Sequence, residues 1–140
     1  VLEHPPDAVV AVSSTARWSE RATANRALRR LHAVVETRPG RAWARAVMRT
    51  RVASSGWDPL PAAPVDVAAR IAPLPLLVVH GDRDAYFPLS HAEDLATASG
   101  GELLVEPGFG HAEAAASPAL LDRLGARIVA LAPGAERRSA

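Results

Sequence analysis

The sequence predicts an α/β fold: a parallel three-strand sheet with flanking helices and a helical insertion between its first two strands. Short apolar runs rich in β-branched residues alternate with stretches of helical period, as they do where right-handed crossovers join parallel strands. The apolar runs are hydrophobic at both parities, so their strands are expected to be covered on both faces. Size and composition agree. A chain of 140 residues, 49% hydrophobic and 22% charged, without cysteine, suits a domain whose core holds without a disulfide or a Cys-ligated metal. The missing thiols also exclude iron–sulfur clusters and a cysteine nucleophile. The longest apolar stretch, Ile71 to Val79, contains two prolines and is far short of the ~20 residues of a membrane span.

Ala8 to Ser13, after Pro5-Pro6-Asp7, reads as the first buried strand. From Arg17 to Val52 the period changes. Ala24, Ala27, Leu28, Leu31, Val34 and Val35 follow helical spacing, and after a break at Arg38-Pro39-Gly40 come Trp43, Ala46 and Val47. Two amphipathic helices are expected, with Arg41, Arg45 and Arg49 as an exposed stripe on the second. Ser54 to Pro64 is too rich in turn residues for a helix and reads as a connector. Leu74 to His80 is the second strand, entered through prolines where a missing N–H costs least, and it ends at Gly81-Asp82-Arg83-Asp84. Ser90 with Glu93 forms a capping box for a helix that Gly100-Gly101 stops. Glu102 to Val105 is the third strand, ending in Glu106-Pro107-Gly108-Phe109-Gly110-His111. Ser117 as N-cap and Pro118 at the first helical position open the last helix, whose Leu120, Leu121, Leu124, Ile128 and Leu131 form one stripe. Pro133-Gly134 ends it.

All 16 basic residues are arginines, and the net charge is +1. Their distribution is uneven: Arg17 to Arg51 holds ten arginines against Glu20 and Glu36 alone, so the remainder is acidic. Such a basic segment raises an alternative function, a non-enzymatic binding module whose arginine-rich helices contact an anionic partner. The acidic remainder would repel the same partner, and most charge runs are solvated faces, so no nucleic-acid partner is expected.

In open parallel sheets chemistry gathers beyond the carboxyl ends of the strands. Two loops meet that condition, one carrying Asp84 and the other His111. Adjacent parallel strands lie about 4.8 Å apart, so a carboxylate after one strand and an imidazole after the next come within reach of each other. The acid then fixes the imidazole tautomer, and the imidazole serves as general base and acid. His80, Asp82 and Asp84 also spell His-x-Asp-x-Asp, but alternate residues leaving a strand point to opposite faces, against a metal site. Gly108-Phe109-Gly110 lacks the third glycine of a dinucleotide fingerprint. His32 and His91 read as surface or boundary residues, and Trp18, Trp43 and Trp57 as packing or an apolar wall over a substrate.

The run Pro75-Leu76-Leu77-Val78-Val79-His80-Gly81-Asp82-Arg83-Asp84 followed by Gly108-Phe109-Gly110-His111 resembles the C-terminal part of an α/β-hydrolase. The resemblance implies that Asp84 is the triad acid, His111 the triad histidine and Asp82 a turn-stabilising neighbour. It makes residues 1–14 and 65–134 the C-terminal part of the hydrolase core, 15–64 a helical lid and connector, and 135–140 a disordered tail. It also implies an esterase- or lipase-like hydrolase, serine-type in the family's usual manner, acting on a small-molecule substrate with no cofactor.

The departure from the family's pattern is equally specific. Its nucleophile stands in a Gly-x-Ser-x-Gly elbow, and no two glycines here are four residues apart. Ser13 and Ser14 end a strand but lack the flanking glycines. The serine, or an aspartate nucleophile, and the oxyanion-hole loop are therefore expected in a missing N-terminal half, since the chain opens on Val1 with neither an initiator Met nor a signal-peptide pattern. This chain alone is expected to be inactive, soluble and cytoplasmic, and open to self-association through the edge of its first strand.

Overall fold

The computed structural model describes residues 6–18, 26–55, 57–112 and 117–131. Ala24, the Pro133-Gly134 stop and the tail 135–140 lie outside them. The chain divides into two compact units, one of Val1–Trp18 with Ala63–Ala140 and one of Ser19–Ala62.

The first unit is built on a parallel sheet of order β1-β2-β3, with β1 at Val9–Val12, β2 at Leu76–Gly81 and β3 at Glu102–Glu106. Every residue of the central strand β2 is buried. Its parity sorts the core into two layers, because alternate side chains leave a strand on opposite faces. Leu76 and Val78 pack with α3 (Pro64–Ala68) and α4 (Ser90–Ser99) through Ala68, Ala92, Leu95 and Ala96, whereas Leu77 and Val79 pack with Phe109 and with Leu120 and Leu124 of a C-terminal helix. Each such fully buried Leu or Val contributes about 1.5–3 kcal/mol relative to exposure.

The first strand is shorter and less buried than the sequence suggests. Val9 and Ala11 meet one layer and Val10 and Val12 the other, but all four are only partly covered, because β1 pairs with β2 alone among the described strands. Helix α3 begins at Pro64, the last residue of the expected connector. Pro64 lies in its first turn, where a proline costs no hydrogen bond, and Asp66 suits the same turn. In α4 Ser90 is not the cap. Leu89 stands at the N-cap in αR geometry without a side-chain bond, because a tight turn from Pro88 and Leu89 to His91 and Ala92 starts the helix one residue early. Gly100, with φ 65°, closes it.

The last helix, α5 (Pro118–Leu131), starts as expected, with Ser117 Oγ accepting from the Leu120 N–H at 3.3 Å. Its stripe is narrower than the sequence suggests: Leu120 and Leu124 are buried, but Leu121 is 58% and Ile128 38% exposed. Leu121 stands one position, about 100°, round the helix from Leu120. Arg123 and Arg127, one turn apart, pair with Glu106 and Glu102 of β3; such exposed pairs contribute at most about 1 kcal/mol each.

In the second unit, α1 (Arg26–Glu36) and α2 (Arg38–Val47) pack as a hairpin joined by Thr37 alone. Arg38-Pro39-Gly40 is thus the first turn of α2 and not a break. Thr37 caps it, accepting from Gly40 N–H at 3.0 Å and donating to Ala33 O at 2.5 Å. Gly40 is needed for space, since a Cβ there would run into the Ala33 and Val34 backbone. The arginine stripe is not formed either. Arg41 bends back to donate to Val35 O and Glu36 O at 3.2 and 2.8 Å, covering the last carbonyls of α1, while Arg49 lies beyond the helix with φ 53°. Among the described residues no helix is long and apolar enough to cross a membrane.

Candidate active site

Strands β2 and β3 end level with each other, Gly81 opposite Glu106, and the two loops that follow are stitched together backbone to backbone. Asp82 N–H and Phe109 N–H both donate to Glu106 O at 3.3 Å, and Arg83 N–H donates to Phe109 O at 3.0 Å. Asp82 adds a side-chain tie, its Oδ1 accepting from Gly108 N–H at 2.7 Å, and so bridges the two loops. The approach is so close that a Cβ on Gly81 would overlap the Phe109 carbonyl oxygen and stand 2.6 Å from that of Gly110. Phe109, 6% exposed, anchors the second loop in the core layer of Leu77 and Val79.

Held in this way, Asp84 and His111 meet. Nδ1 of His111 lies 2.9 Å from Asp84 Oδ2. The other carboxylate oxygen, Oδ1, accepts from the N–H groups of Tyr86 and Phe87 at 2.8 and 3.1 Å. The Asp84 side chain is wholly buried and that of His111 is 24% exposed. Burial by itself raises the Asp84 pKa, but the hydrogen bonds from His111, Phe87 and Tyr86 and the attraction of the His111 charge outweigh it and hold the carboxyl below its ordinary range. An ionised carboxylate only accepts, so the proton in this bond sits on His111 Nδ1. Proton exchange with a reactant then falls to Nε2. Tyr86 and Phe87 flank the imidazole, their ring centroids 4.9 and 5.7 Å from it.

A family model described as TAP-like protein, within the α/β-hydrolases, matches residues 40–124, more than half of the chain. The chain belongs to that family. The match to the TAP-like α/β-hydrolases takes in β2, β3 and both loops of the site. No curated protein matches the chain.

The other singled-out residues fall elsewhere. Ser13 does have a left-handed backbone, φ 47°, but it is 4% exposed and its hydroxyl has no hydrogen-bond partner among the described residues. Among the described residues no group of three or more His, Cys, Asp or Glu could hold a metal ion; Asp82 turns to Gly108 while Asp84 turns to His111. His91 is buried and not a surface residue, its Nδ1 accepting from Ala16 N–H at 2.9 Å, which ties the segment after β1 to α4. Sequence reasoning also missed Tyr86 and Phe87, although two aromatic residues directly after a candidate acid are a readable signal for a walled site. It missed what His80 does as well: the side chain is fully buried, and its Nε2 lies 3.1 Å from Phe87 O.

Proposed function

We propose that this chain supplies the acid and the histidine of a hydrolase acting on an ester, amide or similar bond, with the nucleophile, a serine, carried outside these 140 residues. The observation behind this reading is the 2.9 Å contact between His111 Nδ1 and the buried Asp84 carboxylate. In the mechanism, His111 Nε2 takes the proton of the serine hydroxyl as that oxygen attacks the substrate carbonyl, and the imidazolium then returns it to the leaving group. Asp84 keeps the imidazole in the Nδ1–H tautomer and stabilises the imidazolium while it lasts. In this reading residues 15–64 are the lid segment and its connector, and no cofactor takes part. An aspartate nucleophile, as in haloalkane and epoxide hydrolases, uses the same His111 to activate the water that releases the product.

The test has two arms. In the protein that joins this chain to its nucleophile, Asp84→Asn and His111→Gln should each lower kcat by about 10³–10⁴-fold on an activated ester. The 140-residue chain alone should show no stoichiometric burst on p-nitrophenyl acetate, because it lacks the nucleophile and oxyanion donors that carry most of the rate enhancement. A burst abolished by Ser13→Ala or Ser14→Ala would overturn the reading.

A further inference from the structure

We propose that His80 is a positioning residue for the Asp84–His111 pair, acting through the Phe87 carbonyl; the inference deepens the hydrolase reading and rests on it. His80 sits one residue before the end of β2, opposite Val105 of β3, with no exposure to solvent. A carbonyl only accepts, so the 3.1 Å contact with Phe87 O requires the proton on His80 Nε2. That leaves Nδ1 unprotonated in the neutral ring, and among the described residues Nδ1 has no hydrogen-bond partner. A buried orphan acceptor is costly, and an apolar side chain at the end of an apolar strand would avoid it. What the histidine contributes is the bond to Phe87.

That bond lies directly behind the site. The Phe87 N–H donates to Asp84 Oδ1 while the Phe87 carbonyl is held by His80, so the residue is gripped at both ends of its backbone. Asp84 Oδ2, the oxygen that meets His111, is 4.0 Å from His80 Nε2, within the reach of attraction but beyond a hydrogen bond. The Phe87 ring is carried by the same backbone and stands against both His111 and His91, at centroid distances of 5.7 Å in each case. Releasing Phe87 therefore loosens two constraints together: the rotation of the Asp84 carboxylate, set by two N–H donors on one oxygen, and one of the rings against which the His111 imidazole lies. Neither His80 nitrogen touches a reacting atom, so its effect belongs on the rate of the chemical step and not on substrate affinity.

The chemistry of the side chains supplies the test. A glutamine places its amide N–H the same number of bonds from Cβ as His Nε2, whereas an asparagine stops at the position of Nδ1, and a leucine has no donor. In the full-length protein, His80→Leu and His80→Asn should lower kcat by about 10–100-fold with KM unchanged, as expected for a catalytic group displaced by less than 1 Å, and His80→Gln should stay within about 3-fold of wild type. The downfield proton resonance of His111 Nδ1–H should shift or broaden in the first two variants and be restored in the third. Wild-type kcat in His80→Leu or His80→Asn overturns the proposal. So does a His80→Gln variant as impaired as His80→Leu, or failure of all three to fold by near-UV circular dichroism, which would make His80 a core residue only. If His80→Leu alone fails to fold, the Gln and Asn pair decides. Asp84→Asn and His111→Gln are assayed alongside: if they keep activity the hydrolase reading falls, and if they lose it while the His80 variants match wild type, only the role of His80 falls.

Discussion

Adding one methyl group at Gly81 should damage both stability and activity, although Gly81 carries no functional group. In Gly81→Ala the new carbon would stand 2.6 Å from Gly110 O and closer still to Phe109 O, and side-chain carbons do not approach a carbonyl oxygen within 3.0 Å. Relieving the Gly110 contact alone separates strand β2 and the His111 loop by about 0.4 Å, and the closer Phe109 contact demands more. Passed on to the 2.9 Å contact between Asp84 and His111, a shift of that size stretches it to about 3.3 Å, past the ~3.2 Å limit of a good hydrogen bond. The Arg83 bond to Phe109 O, at 3.0 Å, is strained by the same movement. Overpacking of this kind costs about 1–3 kcal/mol. With a urea slope near 2 kcal/mol/M, the unfolding midpoint should fall by about 1 M, and kcat of the complete enzyme should fall by about 100-fold. Urea titration followed by circular dichroism measures the first, ester turnover the second. A midpoint within about 0.2 M of wild type, together with unchanged turnover, would refute the claim that the two loops are held backbone against backbone.

Because the Asp84 carboxyl is held below its ordinary value in the folded state, its contribution to stability is complete above the unfolded value of about 3.9 and is lost as the pH falls through the folded value. Wild type should therefore exceed Asp84→Asn in unfolding free energy by a constant margin from about pH 6 to 8, and the margin should shrink below about pH 4; a margin constant down to acid pH contradicts the bond network. Hydrogen exchange should be slowest at Leu77, Val78 and Val79, which are fully buried, and faster throughout α1 and α2, where most side chains are exposed. Equal protection in the two would refute the two-unit division as a division of stability. Strand β1 carries no charge or proline over Val9–Val12, so the 140-residue chain should self-associate in sedimentation and Val10→Lys should reduce this, at some cost in stability because Val10 is half-buried. A wild-type chain that stays monomeric at high concentration would refute the edge argument.

The central strand was legible because a parallel strand covered on both faces leaves an unbroken apolar run, as Leu76 to Val79 does. The juxtaposition of Asp84 with His111 was legible for a related reason: both loops leave the same end of adjacent strands, so connectivity alone brings them together. Local signals misled where a backbone detail decides. Ser90 and Glu93 spell a capping box, but the turn after Phe87 is tight enough to put the N-cap at Leu89 and start the helix at Ser90. Arg38-Pro39-Gly40 spells a break, but Pro is equally at home in a first helical turn, and only the crossing of α1 reveals why a glycine follows it. His80 and His91 were unreadable as structural groups because each bonds to the backbone of a distant or looping segment, Phe87 O and Ala16 N, and no spacing in the sequence encodes where a carbonyl or an amide will end up.

The first unit is discontinuous in sequence, and the two places where the chain leaves and re-enters it are clasped together: Val65 N–H donates to Ala16 O at 3.1 Å, with Ala16 wholly buried. Everything between Ser19 and Ala62 leaves and rejoins the sheet unit beside that clasp. Loop closure depends only logarithmically on length, so doubling such an insertion costs the sheet about 0.6 kcal/mol. The arrangement separates two kinds of evolutionary change. The strands and loops that bring Asp84 to His111 are tied to one another at several points and tolerate little, whereas an insertion that leaves and rejoins the sheet unit side by side can change in length without any change of register in the sheet.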